Sequence, residues 1–330
     1  MTNPINPFKD KKVLITGGLG FLGSNLAIRL FNLGADVTLM DKMLDDYGGN
    51  SFNIEPIKDK VNVSLSDIRD SEVMDNLVSD KEFVFHLAGQ VCHVMSLTDP
   101  FPDIDINING TAVVMEAIRK HNPEAKVIFS GTRGEYGPAA SLPVNEEAPT
   151  NPKGMYELSN LTAEKIVKLY NDIHNIHGVM LRITNTYGPR GQMKHSRFGV
   201  VNWFVRLALE GKPITVFDEG KMIRDFLYVD DCIDAMVKAA ASPKTTGEIL
   251  NVGVDIPHTI REMAETICEI TGTDIELVPA TPERAALEPG NFYSDITKIR
   301  NLLDWNPKVN LKEGLTKTVE YYKKHRKHYW

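Results

Sequence analysis

The chain has 330 residues, of which 42% are hydrophobic and 25% charged, the composition of an ordinary soluble globular protein. Its formal net charge of −7 argues against general nucleic-acid binding, and no stretch is apolar enough to span a membrane. The polar, proline-containing first ten residues do not resemble a secretory signal. Cys92, Cys232 and Cys268 lack the spacing of a disulfide framework or a zinc site. We therefore expect a cytoplasmic protein with reduced thiols and no metal site.

The first predicted strand leads into a glycine-rich turn. Residues 13–16 form a short apolar run, Gly17, Gly20 and Gly23 follow at G-x-x-G-x-x-G spacing, and a helical pattern begins directly after them. A strand, a glycine turn and a helix N-terminus together form a unit that binds the pyrophosphate of a dinucleotide. Asp41 ends the next predicted strand, at the spacing of an acid that holds the adenosine ribose hydroxyls. Because its charge would repel a 2′-phosphate, the sequence predicts NAD rather than NADP.

Apolar runs alternate with helix-like segments through the first two thirds of the chain. This alternation predicts an α/β fold with a doubly wound parallel sheet, covered by helices. The predicted strands are residues 13–16, 35–40, 61–65, 83–87, 126–130 and 179–183, and the predicted helices include residues 24–31, 110–121 and a long one that starts at Tyr156.

Beyond residue 184 the pattern loosens, with loops rich in Pro, Gly and Arg between predicted helices at 200–209, 229–241 and 260–271. This predicts a smaller lobe on the carboxyl edge of the sheet, where open parallel sheets bind ligands. We expect residues 1–184 to form the dinucleotide-binding (Rossmann) domain. Residues 185–330 would form mainly a substrate-binding lobe, with some chain returning to the first domain.

Several motifs follow one another in a specific order and spacing. They are Thr16-Gly-Gly-Leu-Gly-Phe-Leu-Gly23, Asp67-Ile-Arg69, His86-Leu-Ala-Gly89, Asn107-x-x-Gly110-Thr111, Leu181-Arg-Ile-Thr-Asn185-Thr-Tyr-Gly-Pro-Arg190, Arg224-Asp-Phe-x-Tyr-Val-Asp-Asp231 and Leu303-Asp-Trp-Asn-Pro307. Over nearly its full length the chain therefore resembles the extended short-chain dehydrogenases/reductases of the NAD-dependent nucleotide-sugar epimerase/dehydratase kind, such as UDP-glucose 4-epimerases. The resemblance implies NAD contacts from Gly17, Gly20, Phe21, Leu22, Gly23, Asp41, Lys42, Asp67, Ile68, Leu87, Ala88, Gly89 and Tyr156.

The resemblance also implies a catalytic group. Tyr156 matches the family tyrosine that takes a proton from a sugar hydroxyl as hydride leaves for NAD, and Thr132 matches the Ser or Thr that shares this hydrogen bond and contacts the substrate. The family lysine, four residues after the tyrosine, is replaced by Asn160. An asparagine can bond a ribose hydroxyl but brings no charge. At about 4 Å and an effective dielectric constant of ~20, that charge is worth roughly 4 kcal/mol to the phenolate.

Two explanations for the missing lysine stay open. The oxidised nicotinamide lowers the pKa of Tyr156 alone, or another cation takes the place of the lysine. Lys153 and Lys165 are nearby in sequence, although neither stands at the matching position. A weakened or altered catalyst is therefore one of the outcomes that we consider.

A second departure concerns the type of reaction. Family dehydratases usually carry acidic residues directly after the catalytic Thr, for the elimination of water. The matching positions here are Arg133 and Gly134, with Glu135 one residue later. This disfavours simple dehydratase chemistry.

The resemblance implies a substrate site built from both parts of the chain. Its predicted members are Cys92, His93, Thr132, Asn185, Arg224 and Arg284. Arg224 matches a diphosphate-binding arginine, since a planar guanidinium suits phosphate. Glu288 stands where relatives often have an arginine, and Arg284 is the candidate replacement.

The sequence as a whole predicts an NAD-dependent nucleotide-sugar epimerase, acting at C4 through a transient keto sugar. A nucleotide-sugar 4,6-dehydratase, or another oxidoreductase of the same fold, is the first alternative. A protein that binds NAD and a nucleotide sugar with little turnover is the second. The expected partners are a nucleoside diphosphate-sugar and a second copy of the chain, forming a homodimer, with no nucleic acid and no membrane.

Overall fold

The structure is a computed structural model that describes residues 6–44, 47–279 and 290–330. The strands, in chain order, are β1 (Lys12–Thr16), β2 (Asp36–Met40), β3 (Asn62–Ser64), β4 (Phe83–His86), β5 (Lys126–Thr132), β6 (Gly178–Ile183), β7 (Asn185–Tyr187), β8 (Ile214–Phe217), β9 (Ile223–Arg224), β10 (Phe226–Tyr228), β11 (Ile249–Val252), β12 (His258–Thr259) and β13 (Ile275–Val278). The α-helices are α1 (Phe21–Asn32), α2 (Ser71–Val78), α3 (His93–Ser96), α4 (Gly110–His121), α5 (Met155–His174), α6 (Val200–Leu209), α7 (Val229–Ala241), α8 (Ile260–Thr271), α9 (Thr297–Leu303) and α10 (Leu311–His325).

Seven parallel strands form the central sheet, in the order β11-β6-β5-β4-β1-β2-β3. The chain winds from β1 to β3 in one direction and then from β4 to β11 in the other. The order therefore reverses between β1 and β4, and the predicted doubly wound α/β fold is confirmed. Ligands of such sheets bind outside the carboxyl ends of the strands at this reversal.

Helices cover both faces of the sheet because its strands are apolar on both sides. In β1, Val13 and Ile15 pack into one core with α1 and α7, whereas Leu14 packs into the other with α2 and α4. Successive side chains of a strand point to opposite faces, so a continuous apolar run such as this fits a strand buried on both sides. All six residues of β6 are buried.

The chain after β6 builds the smaller lobe and also returns to the sheet. Short pairs, β8 with β13 and β9 with β12, pack against α8, which also packs against α6 and α10. By contrast, β11 pairs in parallel with β6, and α7 packs against β5 and β6. The second part of the chain therefore supplies one of the two edge strands of the sheet, β11.

Three details differ from the sequence-based expectation. Helix α1 begins at Phe21, directly after the glycine turn, so its N-terminus faces the carboxyl edge of the sheet. Strand β5 continues to Thr132, and a π-helical stretch (Asp103–Asn109) leads into α4. Within residues 6–44, 47–279 and 290–330, no helix combines the length and the apolar character needed to cross a bilayer.

Candidate active site

A cavity of about 400 Å³ lies at the carboxyl edge of the sheet, between the glycine turn and the smaller lobe. It brings together every cofactor and catalytic residue that the sequence predicted. These are Gly17, Gly20, Phe21, Leu22, Gly23, Asp41, Lys42, Asp67, Ile68, Leu87, Ala88, Gly89, Thr132, Tyr156 and Asn160, together with Asn185 of the predicted substrate site. Residues far apart in sequence thus line one space.

The glycine turn has the shape that a pyrophosphate requires. Gly17 has a φ of +69°, and a Cβ atom there would lie 2.9 Å from the backbone nitrogen of Ala88. A Cβ atom on Gly23 would overlap the carbonyl oxygen of Gly17. Gly20 precedes α1 without a side-chain cap, and the first turn of α1 carries no acidic residue. The helix N-terminus therefore presents backbone N–H groups and a partial positive charge to an anion in the cavity.

Two carboxylates stand at the β2 end of the cavity. Cations pair with one of them, whereas the other accepts hydrogen bonds from backbone N–H groups. Asp67 accepts bonds from Arg69 (Nη2, 2.6 Å) and Lys42 (Nζ, 2.7 Å), and these cations hold its pKa well below the ordinary value. Asp41 accepts backbone bonds from Leu19 at 3.0 Å and Met43 at 2.9 Å, while burial raises its pKa. Within the described part of the chain no cation pairs with Asp41. Its negative charge is therefore available to ribose hydroxyls.

Thr132 is fixed at the end of β5 by a reciprocal cap. Its backbone N–H donates to Oε1 of Glu135 at 2.8 Å, and its hydroxyl oxygen accepts from the backbone N–H of Gly134 at 3.1 Å. The Thr132 side chain also acts on Tyr156, since it lowers the pKa of that phenol. Because the Thr132 hydroxyl already accepts a bond from Gly134, its own proton is free to point at the Tyr156 oxygen. This arrangement stabilises the phenolate form of Tyr156.

The surroundings of Tyr156 set its protonation. Burial raises the pKa of the phenol to about 12, and the charges of Glu157 and Glu135 act in the same direction. The bond from Thr132 and the charge of Arg133 lower this pKa. Burial is therefore the dominant influence.

Asn160 does not replace the charge of a lysine. Its Nδ2 donates to the backbone oxygen of Tyr156 at 2.8 Å, one turn earlier on α5. The amide is folded back onto its own helix, although the side chain still lines the cavity. Lys153 and Lys165 are both exposed, and neither lines the cavity.

Glu135 belongs to a buried ionic cluster beneath the site. Its Oε2 lies 3.2 Å from Nε of Arg182, and Nη2 of Arg182 lies 2.8 Å from Oε1 of Glu164. All three side chains are at most 5% exposed, so they are sheltered from water. Burial and the neighbouring Glu164 raise the pKa of Glu135. This carboxyl group thus holds Thr132 in place from below and does not line the cavity.

The sheet order separates the two ends of the cavity. Asp41 follows β2 and Thr132 ends β5, and these strands are three positions apart in the sheet. With neighbouring strands about 4.8 Å apart, the separation is roughly 14 Å. Of the described residues that line the cavity, Asp41 and Asp67 are the only carboxylic acids, and both stand at the β2 end.

Three predicted substrate residues do not line this cavity. Cys92 is fully buried, and its Sγ accepts a bond from the backbone N–H of Met95, which caps α3. His93 lies with Nδ1 2.6 Å from Oε1 of Glu157. Arg224 is buried and donates to the carbonyl oxygens of Ile223 and Gly290.

The remaining substrate predictions have different outcomes. Asn185 lines the cavity, and its Oδ1 accepts a bond from Nε of Arg133 at 3.1 Å. Arg284 and Glu288 lie outside the described residues. The substrate roles of all these residues stay predictions.

Two aromatic residues that the sequence did not single out also line the cavity. Tyr47 and Phe198 come from loops in different lobes, and their ring centroids are 6.1 Å apart. Neither belongs to a periodic pattern. The Tyr47-Gly-Gly sequence is a weak signal for a loop near a ligand.

Together, the doubly wound sheet, the glycine cradle at a helix N-terminus and the acid after β2 define a dinucleotide-binding Rossmann protein. Residues 13–253 match the family model described as the NAD dependent epimerase/dehydratase family. The chain belongs to this family, whose dependence on NAD agrees with the predicted cofactor.

Similar proteins carry out several reactions. The chain is 32% identical to a UDP-glucose 4-epimerase of Mycolicibacterium smegmatis, over 94% of this chain and 98% of the relative. It is 30% identical to a UDP-N-acetyl-alpha-D-glucosaminuronate decarboxylase of Bacillus cytotoxicus, over 95% and 98%. The crystal structure of a Thermotoga maritima UDP-glucose 4-epimerase with UDP-glucose has a TM-score of 0.88 and 32% identity, over 96% of this chain and 99% of that one.

Proposed function

We propose that the protein is an NAD-dependent nucleotide-sugar epimerase that inverts C4 through a transient keto sugar. One observation favours epimerisation over the elimination of water. No carboxylic acid of the described residues lines the Tyr156 end of the cavity, where the sugar would react. Elimination of water needs a group that protonates the departing hydroxyl, whereas epimerisation needs one group that takes a proton and later returns it.

The residues of the cavity divide the work of holding NAD. The glycine turn and the N-terminus of α1 would hold the pyrophosphate, and Asp41 the adenosine ribose. Asn160 would contact the nicotinamide ribose through its amide oxygen. NAD bound in this way supplies an acceptor for hydride and afterwards a donor of it.

The chain's own catalytic step is a proton transfer at the Tyr156 oxygen. In its phenolate form, Tyr156 would accept the proton of the sugar hydroxyl as the carbon is oxidised. Thr132, which lowers the pKa of this phenol, would donate a hydrogen bond to the same oxygen and so stabilise the charge. The keto sugar then presents its opposite face, and the protonated Tyr156 returns the proton to the oxygen of the epimer.

The substrate we propose is a nucleoside diphosphate-sugar. The Thermotoga maritima relative was solved with UDP-glucose, and the chain covers 99% of that protein. On the second-lobe side, this cavity is lined by the amide side chains of Asn185 and Gln192, which can bond sugar hydroxyls. Arg224, the predicted contact for the diphosphate, is not part of this lining, because its guanidinium donates to backbone carbonyls.

A second candidate is a protein that binds NAD and a nucleotide sugar with little turnover. The observation in its favour is the position of Asn160, whose amide bonds the backbone of α5 and gives the phenol no charge. With its pKa at about 12, Tyr156 would be almost fully protonated at neutral pH in the absence of other help.

One assay separates these candidates. The protein is incubated with a panel of nucleotide sugars from pH 7 upwards while absorbance reports bound NADH and proton NMR reports the product. We expect the C4 epimer, with a rate that rises with pH, and no activity in Tyr156→Phe. Loss of water from the product would establish the dehydratase alternative. Absence of NADH and of product with every sugar would favour the binding protein.

A further inference from the structure

We propose that a basic surface at the rim of the cavity attracts the anionic nucleotide sugar and speeds its association. We call this surface the basic rim, and its members are Lys194, Lys323, Lys324, Arg326 and Lys327. The inference rests on the proposed function, because the substrate named there carries the negative charges of a diphosphate. It concerns the entry of the substrate, not the proton transfer at Tyr156.

The end of α10 and the residues after it concentrate positive charge in a protein that is negative as a whole. The chain has a formal net charge of −7, yet residues 323–330 contain four Lys or Arg and no Asp or Glu. All four of these basic side chains are exposed. A dianionic ligand that approaches this part of the surface therefore meets charge of the opposite sign.

The basic residues of α10 fall into two groups. Lys312 pairs with Glu269 at 3.1 Å, and Lys317 pairs with Glu313 at 2.7 Å. Further along, among the residues that the structure describes, none of the four basic residues between 323 and 330 forms an ion pair. Contact partners therefore cancel the charge of the first group and leave that of the second.

Contacts hold the C-terminal residues against a loop that belongs to the cavity wall. The ring of His328 stacks on Phe52, with the ring centroids 3.6 Å apart. The Tyr329 hydroxyl donates to Oδ1 of Asn53 at 2.7 Å. Phe52 and Asn53 closely follow Gly49, which lines the cavity. The turn that carries two members of the basic rim is thus fixed beside the cofactor end of the site.

A second contact connects α10 itself to the cavity. The Tyr322 hydroxyl donates to the carbonyl oxygen of Gly191 at 2.8 Å, and Gly191 lines the cavity. Lys323 and Lys324 directly follow Tyr322 in the last turn of α10. Their backbone is therefore anchored within one residue of a side chain that contacts the cavity wall.

Lys194 joins the basic rim from the smaller lobe. It is exposed, and it lines a small cleft of about 10 Å³ together with Tyr329. This cleft shares four of its residues with the main cavity, namely Tyr47, Gly48, Gly49 and Gln192. Positive charge from two separate segments of the chain therefore borders the same opening.

Electrostatic attraction of this kind acts on the rate of association. A cleft bordered by one sign of charge raises the local concentration of a ligand of the opposite sign, and salt weakens the effect. Charges at a rim change the association rate more than the dissociation rate, because the bound ligand lies away from them. The basic rim would thus offset the repulsion that a protein of net charge −7 exerts on a diphosphate.

A purely structural role predicts different behaviour. Lys323 and Lys324 lie in the last turn of α10, where positive charge stabilises the helix macrodipole. Such a role would lower stability on substitution and would leave the association rate unchanged. It also does not extend to Lys327, which lies beyond the end of α10 at His325.

The test compares two variants of equal net charge. The rim variant combines Lys323→Gln, Lys324→Gln and Lys327→Gln. The control variant combines Lys9→Gln, Lys60→Gln and Lys244→Gln, three exposed lysines at the amino edge of the sheet, opposite the cavity. Stopped-flow fluorescence measures the association of the NAD-loaded proteins with UDP or CDP that carries an N-methylanthraniloyl group on the ribose. A thermal melt of each variant reports stability.

We expect the rim variant to associate about fivefold more slowly than the parent at about 0.01 M ionic strength, with little change in the dissociation rate. The difference should vanish near 1 M salt, and the control variant should stay within about twofold of the parent. An association rate equal to that of the parent would overturn the proposal. Equal slowing of both variants would also overturn it, since net charge alone would then be the cause.

The same measurement separates this inference from the epimerase assignment. If the labelled nucleotide binds with the expected salt dependence but no nucleotide sugar is turned over, the epimerase assignment fails while the role of the basic rim stands. If nucleotide sugars are turned over and the rim variant associates as fast as the parent, the basic rim fails alone. If neither labelled nucleotide binds at any salt concentration, both proposals fail.

Discussion

Thr132 and Glu135 cap each other at the end of β5, and this reciprocal cap fixes the position of the Thr132 hydroxyl. The Thr132 N–H donates to Glu135 at 2.8 Å, while the Thr132 hydroxyl accepts from Gly134 at 3.1 Å. A threonine hydroxyl has a single proton to donate. With one lone pair engaged by Gly134, the hydroxyl keeps its proton for another acceptor, and the Thr132 side chain lowers the pKa of the Tyr156 phenol.

Removal of the Thr132 hydroxyl should therefore impair chemistry more than folding. We expect Thr132→Val to lower kcat by about 10²-fold, the lower range for groups that assist proton transfer. Thr132→Ser, the matched control, keeps the hydroxyl and should stay within a few-fold of the parent. Steady-state kinetics at one fixed pH measure the loss of activity, and a thermal melt of each variant measures the loss of stability. Equal losses in the Val and Ser variants would contradict the assigned role.

The buried pair of acids under the site should depend on Arg182. Its removal in Arg182→Met leaves Glu135 and Glu164 without their cation, at a cost of about 3–5 kcal/mol in the free energy of unfolding. Arg300→Met breaks an exposed pair with Asp255 and should cost less than about 1 kcal/mol. Denaturant unfolding of both variants gives the comparison.

The stability that Arg182→Met loses relative to the parent protein should grow as the pH rises. A carboxyl group whose folded-state pKa is raised contributes stability that is present below its unfolded pKa and lost as pH rises through the folded value. Burial already raises the pKa of Glu135, and loss of Arg182 would raise it further. Arg182→Met should therefore be closest to the parent in stability near pH 5 and farthest from it near pH 8. A constant difference across this range would contradict the proposed cause.

Asp41 should determine the choice between the two dinucleotides. We expect the protein to bind NAD at least tenfold more tightly than NADP, because the unpaired carboxylate would repel a 2′-phosphate. Asp41→Ser keeps a hydrogen-bond acceptor and removes the charge, so it should reduce the difference in affinity between NAD and NADP. Calorimetry with both dinucleotides measures this, with Asp36→Ser at the exposed start of β2 as control. Equal affinities in the parent protein would refute the assignment.

Asp103 should make the stability of the parent protein fall between pH 4 and pH 6. Its carboxyl is buried, with Oδ2 bonded to Gln90 at 2.9 Å, and among the described residues Oδ1 has no hydrogen-bond partner. Burial raises its pKa to about 6. Because the folded-state pKa of Asp103 is raised, its protonated carboxyl contributes to the free energy of unfolding below about pH 4. This contribution is lost as the pH rises through about 6. Asp103→Asn should remove this part of the pH dependence in denaturant titrations, and an unchanged curve would show that the group titrates normally.

The predicted homodimer should form through an apolar stripe on α5. Three apolar side chains of α5 are about half exposed or more, namely Leu158 (45%), Leu169 (52%) and Ile173 (62%). Phe101, in the segment that precedes α4, is 70% exposed. Exposed apolar residues on one surface indicate an interaction site. We expect Leu169→Glu to give monomers in analytical ultracentrifugation. Ile256→Glu, at an equally exposed apolar residue of the smaller lobe, should leave the association unchanged.

The sequence predicted the framework because its signals are local. Apolar runs marked the six strands from β1 to β6, and helices α6, α7 and α8 have the predicted bounds. The glycine turn and Asp41 could be placed together because a parallel sheet sets the carboxyl ends of its strands at one edge. Strand β11 was missed, since four residues after a long excursion carry no pattern that marks them as the edge of a distant sheet.

The functions of individual polar residues were harder to predict. Cys92 follows a family motif, but its thiol is used to cap α3. Glu135 lies one residue beyond the positions where family dehydratases carry their acids. In the structure it caps Thr132 and pairs with Arg182. Such roles depend on which of several partners a side chain reaches, and the Arg182 that pairs with Glu135 lies 47 residues further along the chain.

The attachment of β11 to β6 constrains how the protein can be divided. A fragment that ended at residue 184 would keep the glycine turn and Tyr156, yet it would expose the hydrogen-bonding edge of β6, a fully buried apolar strand. Such an edge pairs readily with other chains, so the isolated fragment should aggregate. Separation of the cofactor half from the substrate half, for instance for domain exchange between relatives, would therefore require that residues 249–252 be carried along with the first half.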